Sequence, residues 1–390
     1  MKILLLDTAF ASVPIYNALV EAGHDVWVAG NRSTDLLARV AGPRWIEHNY
    51  SDVDGVRGHI EKLHIERVVP GCTDVSIETC LQLPCGAHLH DSPATNHALS
   101  HKAQFRAICA HLDLPAPRVL NFGSFPLPGR YICKPVDAFS GRGISVFNGE
   151  DENALVAALE AARLVSRTGE ALIETFADGQ LYSCSGFIEG NTLVNAFFVK
   201  EGTSANPYAV DTSYVVHDLD KVHVQLLIDS LNRLSQHLDL KDGLIHTQFI
   251  LSADGPIIVE ITRRCPGDLY PVLIEYATGF RYAAKYASYF CGYECDVKME
   301  ARRYVLRHTV AADVPTKFGG LFFNQHTPTI AFYPLATLGE DLLERQGTRA
   351  GLLFAEYATA EALQNAYQSF LSRRKYRLND YVGGDVMQHA

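Results

Sequence analysis

The chain lacks any stretch of about 18 uncharged apolar residues, the length a helix needs to cross a bilayer, so no membrane span is predicted in its 390 residues. It also lacks a dense basic cluster: Arg373-Arg374-Lys375 is the tightest group of cations in a chain of net charge -10. Phosphate backbones are bound by clustered Lys and Arg, so nucleic acid is excluded as the main partner. The triplet itself reads as the solvated end of a C-terminal helix, where cations complement the helix dipole. No CxxC pair occurs among the nine cysteines (72, 80, 85, 109, 133, 184, 265, 291, 295), an odd number scattered singly. Reduced, mostly buried thiols and a cytoplasmic setting are the expectation. Cys291 and Cys295 have no second Cys or His pair beside them to complete a zinc site. The opening Met1-Lys2-Ile3-Leu4-Leu5-Leu6 is stopped by Asp7 after four apolar residues, too short for a signal sequence, and reads as a buried strand.

Two glycine signatures are missing as well. The first turn, Asp7-Thr8-Ala9-Phe10-Ala11-Ser12, has none of the glycines of GxGxxG that let a backbone approach a pyrophosphate, and GxxxxGK[ST] occurs nowhere. There is no internal repeat and no low-complexity segment.

What is present is a two-to-three-unit chain, 47% hydrophobic and longer than one core sustains. From residue 1 to 95, Ile3–Leu6, Val26–Ala29, Trp45–Tyr50 and Val68–Pro70 alternate with helical patterns near Val13–Glu21 and 53–64. That alternation predicts a Rossmann-like parallel sheet with right-handed crossovers. A helix-rich stretch over 93–113 carries Lys102 and ends at Leu114-Pro115-Ala116-Pro117, a stiff boundary. Segment 96–190 predicts strands around a helix at 151–165. Segment 191–300 predicts strands, a helix near 219–238, a hairpin and closing helices. Segment 301–390 carries strands at Tyr304–Val310 and Thr329–Tyr333 with a helix over 359–373, completing or capping what precedes it. The fold class is therefore α/β and α+β: a Rossmann-like parallel-sheet domain followed by two α+β subdomains.

The most informative segment runs from Ile245 to Thr262. Asp254-Gly255 between two alternating β-rich runs predicts a hairpin that sets Gln248 opposite Glu260 and His246 opposite Thr262. Thr247, Phe249, Leu251, Ile257, Val259 and Ile261 then share an apolar face. The other face is rich in oxygen donors on a rigid support, which suits a hard cation such as Mg²⁺ when phosphates supply the remaining ligands. Beyond it lie Arg263 and Arg264, and then Asp268, a candidate cap for a helix from Leu269 to Thr278 closed by Gly279. Two arginines with a helix N-terminus suit negative charge on a phosphoryl group.

Upstream, Tyr131–Pro135 and Ile144–Phe147 flank Val136–Gly143. Gly141 and Gly143 free backbone amides to face a triphosphate, Ser140 adds a hydroxyl, and the flanking strands make a flap out of Ser140, Gly141, Arg142 and Gly143. Lys134, before a proline, is held extended. Ala171–Gly179 reads as an apolar strand running into a turn, whose backbone can offer a donor and an acceptor to a purine edge.

Taken in order, these parts resemble the ATP-grasp superfamily over residues 1 to about 300: the Rossmann-like start, Lys102 before Leu-Pro-Ala-Pro, Lys134-Pro135 with its flap, Ile173-Glu174, and Gln248…Glu260-x-Thr262-x-Arg264. The resemblance is greatest to carboxylate–amine ligases, including L-amino acid ligases and carbamoyl phosphate synthetase. It implies ATP and Mg²⁺ as cofactors, with Lys102 and Lys134 on the phosphates and residues 140–143 closing over them. Glu174, Thr175, Phe176 and Ala177 would form the adenine hinge, and Gln248, Glu260 and Thr262 would ligate metal. Arg264 and Lys134 would be catalytic, neutralising the transferring phosphoryl group. It further implies small-molecule carboxylate and amine substrates joined through an acyl phosphate, and is compatible with a homodimer. Leu181 stands where the family often has a ribose-binding Glu, and Thr262 replaces the usual Asn. A kinase-like or carboxylating use of the scaffold, or a decayed nucleotide-binding protein, is the alternative. Asp211 and His217 are the candidates for taking the amine proton.

Overall fold

The structure, a computed structural model, describes residues 1–138, 141–204, 206–343 and 348–380. The chain divides into two compact units. The first holds Met1–Val199, Val216–Glu275 and Gly279–Glu300. The second holds Lys200–Val215, Tyr276–Thr278 and the chain from Ala301 on. Among the described residues no helix is long and apolar enough to cross a membrane.

The first unit begins as the sequence predicts. Strands β1 (Lys2–Leu6), β2 (Asp25–Gly30), β3 (Trp45–Glu47) and β4 (Arg67–Pro70) form a parallel sheet in the order β3-β2-β1-β4. Ile3, Leu4, Leu5 and Leu6 are all fully buried, as a continuous apolar run must be in a central strand covered on both faces. The crossovers are α1 (Val13–Glu21), α2 (Leu36–Ala41) and α3 (Val53–Leu63), and α4 (Asp74–Cys80) follows the last strand. At the first turn, the Asp7 carboxylate accepts from Ala9 N, Ser12 Oγ and Cys72 N. A side chain thus ties together the turn where a dinucleotide-binding fold would have glycine.

The helix-rich stretch is two helices, α5 (Pro93–Ser100) and α6 (Lys102–His111), parted at His101 in extended conformation. Next come β5 (Val119–Leu120), β6 (Arg130–Pro135), β7 (Ser145–Asn148), α7 (Glu152–Val165) and β8 (Ala171–Thr175). The four strands form an antiparallel sheet in the order β5-β8-β6-β7. Helix α7 lays Leu155, Ala158, Leu159 and Ala162 on that sheet against Tyr131, Cys133, Phe147 and Ile173. That spacing makes one apolar stripe, and Asp151 caps the helix by accepting from Ala154 N.

Strands β9 (Gln180–Glu189) and β10 (Thr192–Gly202) follow; β10 leaves the first unit at Val199. After β11 (Thr212–Val215) of the second unit come α8 (Lys221–Leu238), β12 (Gly243–Ser252), β13 (Gly255–Thr262), α9 (Tyr270–Thr278) and α10 (Tyr282–Cys291). In the first unit β13, β12, β9 and β10 are neighbours in that order. Leu227, Leu231 and Leu234 of α8 pack on Cys184, Ile245, Phe249, Ile258 and Ile261. The hairpin forms, but its turn is one residue tighter than predicted: Ser252 pairs with Gly255, leaving Ala253-Asp254 as the turn, and a bulge restores the predicted register further along. The register is Gln248↔Glu260 and His246↔Thr262, but Phe249 pairs with Ile258, so Val259 is the extra residue of a bulge. Ile258, not Ile257 and Val259, therefore enters the core.

In the second unit β11, β14 (Tyr304–Ala311), β18 (Arg349–Tyr357) and β16 (Thr329–Pro334) pair in that order, and β15 (Thr316–Phe323) pairs with β17 (Asp341–Leu342) and β19 (Tyr376–Asp380). Helix α11 (Ala360–Leu371) buries Leu363, Ala366, Tyr367 and Phe370. The basic triplet after it is not a solvated helix end. Arg373 donates to Ser204 Oγ at 3.0 Å and Ala311 O at 2.8 Å and pairs with Asp313, and Lys375 is 7% exposed. The sequence-based reading overlooked that the chain turns left-handed at Arg373 and folds back into a strand.

Candidate active site

On the polar face of the hairpin, Glu260 is exposed beside half-buried Gln248, and His246 faces Thr262. The neighbouring strand extends that face: Ser185 lies opposite His246 and Ser183 opposite Gln248. Their hydroxyls meet Tyr282 at 2.6 Å and Tyr270 at 3.1 Å, so α9 and α10 close one side of the site. The His246 ring packs edge-on against Tyr270 at 5.2 Å. Burial, and then the nearby charge of Arg264, push its pKa down to about 3, so the imidazole is neutral. Its Nδ1 is buried with no hydrogen-bond partner among the described residues.

Lys134 and Glu174 lie on adjacent strands of the smaller sheet. Lys134 Nζ donates to Glu174 Oε2 at 2.8 Å, and Arg106 Nε lies 2.6 Å from Oε1. Burial opposes the charge of Glu174, but Lys134 and then Arg106 outweigh it and hold the carboxyl below the usual carboxylate range. Arg106 also donates to Val259 O at 2.7 Å. The bulge thus turns a carbonyl of the edge strand toward a buried cation, while Ile258 N donates to Pro115 O in the Leu-Pro-Ala-Pro segment. Arg106 escaped the sequence analysis, although it lies one helical turn beyond Lys102 on the same face of α6.

Lys102 opens α6 and joins these parts. Its Nζ donates to Ala138 O at 2.8 Å at the base of the flap. Burial lowers its pKa; Glu260 opposes the shift, Lys134 adds to it, and Glu174 and Arg106 also act on it. The Asp137 carboxylate fixes the flap base by accepting from Ser166 Oγ, Arg167 N and Thr168 N. Gly141 and Gly143 are left-handed, at φ 71° and 70°, and a Cβ on Gly143 would sit 3.1 Å from Val165 Cβ on the end of α7. Arg142 is exposed. Ser140 lies outside the described residues.

At the end of β8, Thr175 N donates to Arg118 O and Phe176 N to Arg130 O. The Arg130 guanidinium lies 4.0 Å over the Phe176 ring. Ala177 N has no hydrogen-bond acceptor among the described residues. Leu181 pairs with Ile250 inside the sheet.

The two arginines after the hairpin part company. Arg263, 7% exposed, pairs with Asp91 at 2.7 Å and donates to the carbonyls of Gly243 and Lys241, so it is a structural clamp and not a phosphoryl ligand. Arg264 takes the Asp74 carboxylate in a two-point contact, Nε to Oδ1 at 2.7 Å and Nη2 to Oδ2 at 3.1 Å, and donates from Nη1 to Cys265 O at 3.2 Å. Burial opposes its charge, yet Asp74 raises its pKa above the ordinary arginine value. Neither Asp74 nor Asp91 carried any local signal in the sequence. Asp268 does not cap α9: Leu269 holds that position without a side-chain cap bond, and both residues are left-handed, at φ 53° and 55°. Asp211 is 3% exposed in the second unit, its carboxylate accepting from Ser204 N, Ser204 Oγ and Thr212 Oγ1, which removes it as a proton acceptor.

Oxygen donors at Gln248, Glu260 and Thr262 fit a magnesium ion that draws most of its ligands from phosphates. Among the described residues no three His, Cys, Asp or Glu side chains gather into a metal cluster, and Glu260 is the one carboxylate on the polar face of the hairpin.

Comparison with known proteins bears on the domain and the fold. A family model described as an ATP-grasp domain matches residues 127–271. No curated protein matches the sequence. Among solved structures, phosphoribosylglycinamide synthetase from Anaerococcus prevotii is similar at TM-score 0.77 and 13% identity, covering 97% of this chain and 99% of that one. L-amino acid ligase from Bacillus licheniformis is similar at TM-score 0.76 and 14% identity, covering 98% and 99%. Biotin carboxylase from Campylobacter jejuni is similar at TM-score 0.73 and 12% identity, covering 97% and 92%. Residues 127–271 thus carry an ATP-grasp domain, and the parallel sheet followed by two further sheets has the fold of these solved structures.

Proposed function

We propose that the chain is an ATP-dependent ligase that activates a small carboxylate as an acyl phosphate and passes it to an amine, releasing ADP and phosphate. The single observation that carries this reading is the convergence on Lys102. Its ammonium reaches the flap base at Ala138 and lies within the electrostatic reach of Glu260 and Lys134. A half-buried cation within electrostatic reach of an exposed carboxylate is an arrangement that a magnesium triphosphate completes, by giving the lysine an anion and the carboxylate a cation.

In this reading Lys102 and Lys134 hold the phosphates, with residues 140–143 above them. The free amide of Ala177, beside Thr175 and Phe176 at the end of β8, supplies the adenine donor. Gln248, Glu260 and Thr262 hold Mg²⁺, which when bound neutralises charge on the phosphoryl oxygens. Arg264 keeps one N–H on each terminal nitrogen beyond those used by Asp74 and Cys265, enough for two anion oxygens. The chemistry asked of the protein is positioning and charge stabilisation. Nine free cysteines suit a cytoplasmic setting, and a homodimer belongs to the same reading.

The test is ADP release from Mg-ATP with amino acids and small carboxylic acids offered singly and in pairs with amines. Release that requires both partners is expected. Release with bicarbonate alone would move the reading to a carboxylating enzyme, and no release with any pair, together with no binding of Mg-ADP, would remove it.

A further inference from the structure

Arg264 sits in a bend after β13, where no strand register dictates the direction of its side chain. What fixes it comes from the N-terminal sheet, 190 residues away in sequence. The turn that carries Asp74 is held from several sides. Cys72 N donates to Asp7 Oδ2 and Ser12 Oγ, both at 3.2 Å. Thr73 Oγ1 accepts from Ser76 N at 3.1 Å and meets Tyr50 OH at 3.1 Å. Gly71 has no room for a Cβ, which would lie 2.3 Å from Asp7 Cβ. Asp74 therefore projects from the fixed first turn of α4, and its carboxylate takes Nε and one Nη2 proton of the guanidinium in a two-point contact.

We propose that Asp74 is the positioning residue for Arg264: by occupying one edge of the guanidinium it presents the remaining N–H groups, one on each terminal nitrogen, to a planar carboxylate or phosphoryl oxygen pair at the hairpin. The N-terminal sheet then sets the orientation of the anion site without touching the anion. This rests on the ligase reading, and it assigns Asp74 a role that the ATP and metal residues do not require.

The charge-conserving change Asp74→Glu separates orientation from charge, because it keeps the counter-ion and moves the guanidinium by one methylene. Calorimetric titration with inorganic phosphate, with and without Mg-ADP, is the readout. Expected are phosphate binding weakened about tenfold, the scale of one hydrogen bond to a charged group, and unchanged Mg-ADP affinity. In an Arg264→Lys background the same change should have no further effect. Unchanged phosphate affinity, an equal loss of Mg-ADP affinity, or no phosphate binding by the wild-type chain would each overturn the proposal. Failure of the wild-type chain to bind Mg-ADP would sink the ligase reading instead, while the titration without nucleotide still tests the fork. Should Asp74→Glu fail to fold, a crystal structure of isosteric Asp74→Asn reads the guanidinium directly. A side chain turned away from its present direction supports the proposal, and an unmoved one refutes it.

Discussion

Lys134 and Glu174 form an ion pair in which a fully buried carboxylate also serves Arg106, so one anion balances two buried cations. Removing one partner of a buried pair leaves an uncompensated charge in low dielectric. Glu174→Ala should therefore destabilise the fold by about 3–5 kcal/mol, read as a lower urea midpoint. A change within about 0.5 kcal/mol, the range of ordinary surface substitutions, would show that the pair does not hold the smaller sheet to α6.

Lys134→Ala should act differently, because Arg106 still neutralises Glu174. Mg-ATP affinity should fall more than stability does. Equilibrium binding of a non-hydrolysable ATP analogue beside a melting curve checks it, and unaltered affinity counts against Lys134 as a phosphate ligand.

Glu260 is exposed, so its loss should leave the melting temperature near that of the parent. Glu260→Ala should nevertheless abolish substrate-dependent ADP release, as the only carboxylate on the hairpin's polar face. Retained turnover would move the metal away from this hairpin.

Lys102 has its pKa lowered chiefly by burial, so it loses its proton below the ordinary lysine value of 10.5. A charged lysine is needed to bind a phosphate. Nucleotide affinity should thus decline on the alkaline side earlier than an exposed lysine would allow, and Lys102→Arg should remove that decline. Parallel pH profiles for parent and variant would be inconsistent with contact between Lys102 and the nucleotide.

His246 and His90 are pushed by burial from 6.5 down to about 3 and about 4. Both native values lie below the unfolded one, so the unfolded chain takes up protons first as pH falls. The stability they contribute is complete above about pH 6.5 and is lost progressively as pH drops toward their native values. The urea midpoint should decrease through that window, and His246→Gln should flatten the decrease. A midpoint independent of pH there would mean that both rings protonate in the native state.

The legible parts of the chain were those governed by local pattern. The run Ile3–Leu6 reads as a central strand because nothing else explains four apolar residues in succession, and all four are buried. The hairpin reads from Asp254-Gly255, although the turn closes one residue earlier, at Ala253-Asp254, and Gln248 comes opposite Glu260 only with the bulge at Val259. The Val259 bulge was illegible, since its cause is a carbonyl drawn to Arg106 on a helix about 150 residues earlier. Likewise Arg263 and Arg264 are adjacent and chemically identical, and only their partners, Asp91 and Asp74, make one a clamp and the other a candidate ligand.

By itself, then, the sequence determined which segments become strands and helices and which face of the hairpin is polar. The tertiary structure decided how charge is distributed among them: Glu174 between Lys134 and Arg106, Asp74 on Arg264, His246 neutral beside it. Secondary structure follows from interactions a few residues apart, whereas the state of a buried charge depends on whatever counter-ion the fold brings within a few ångströms, and that pairing has no local signature in the chain.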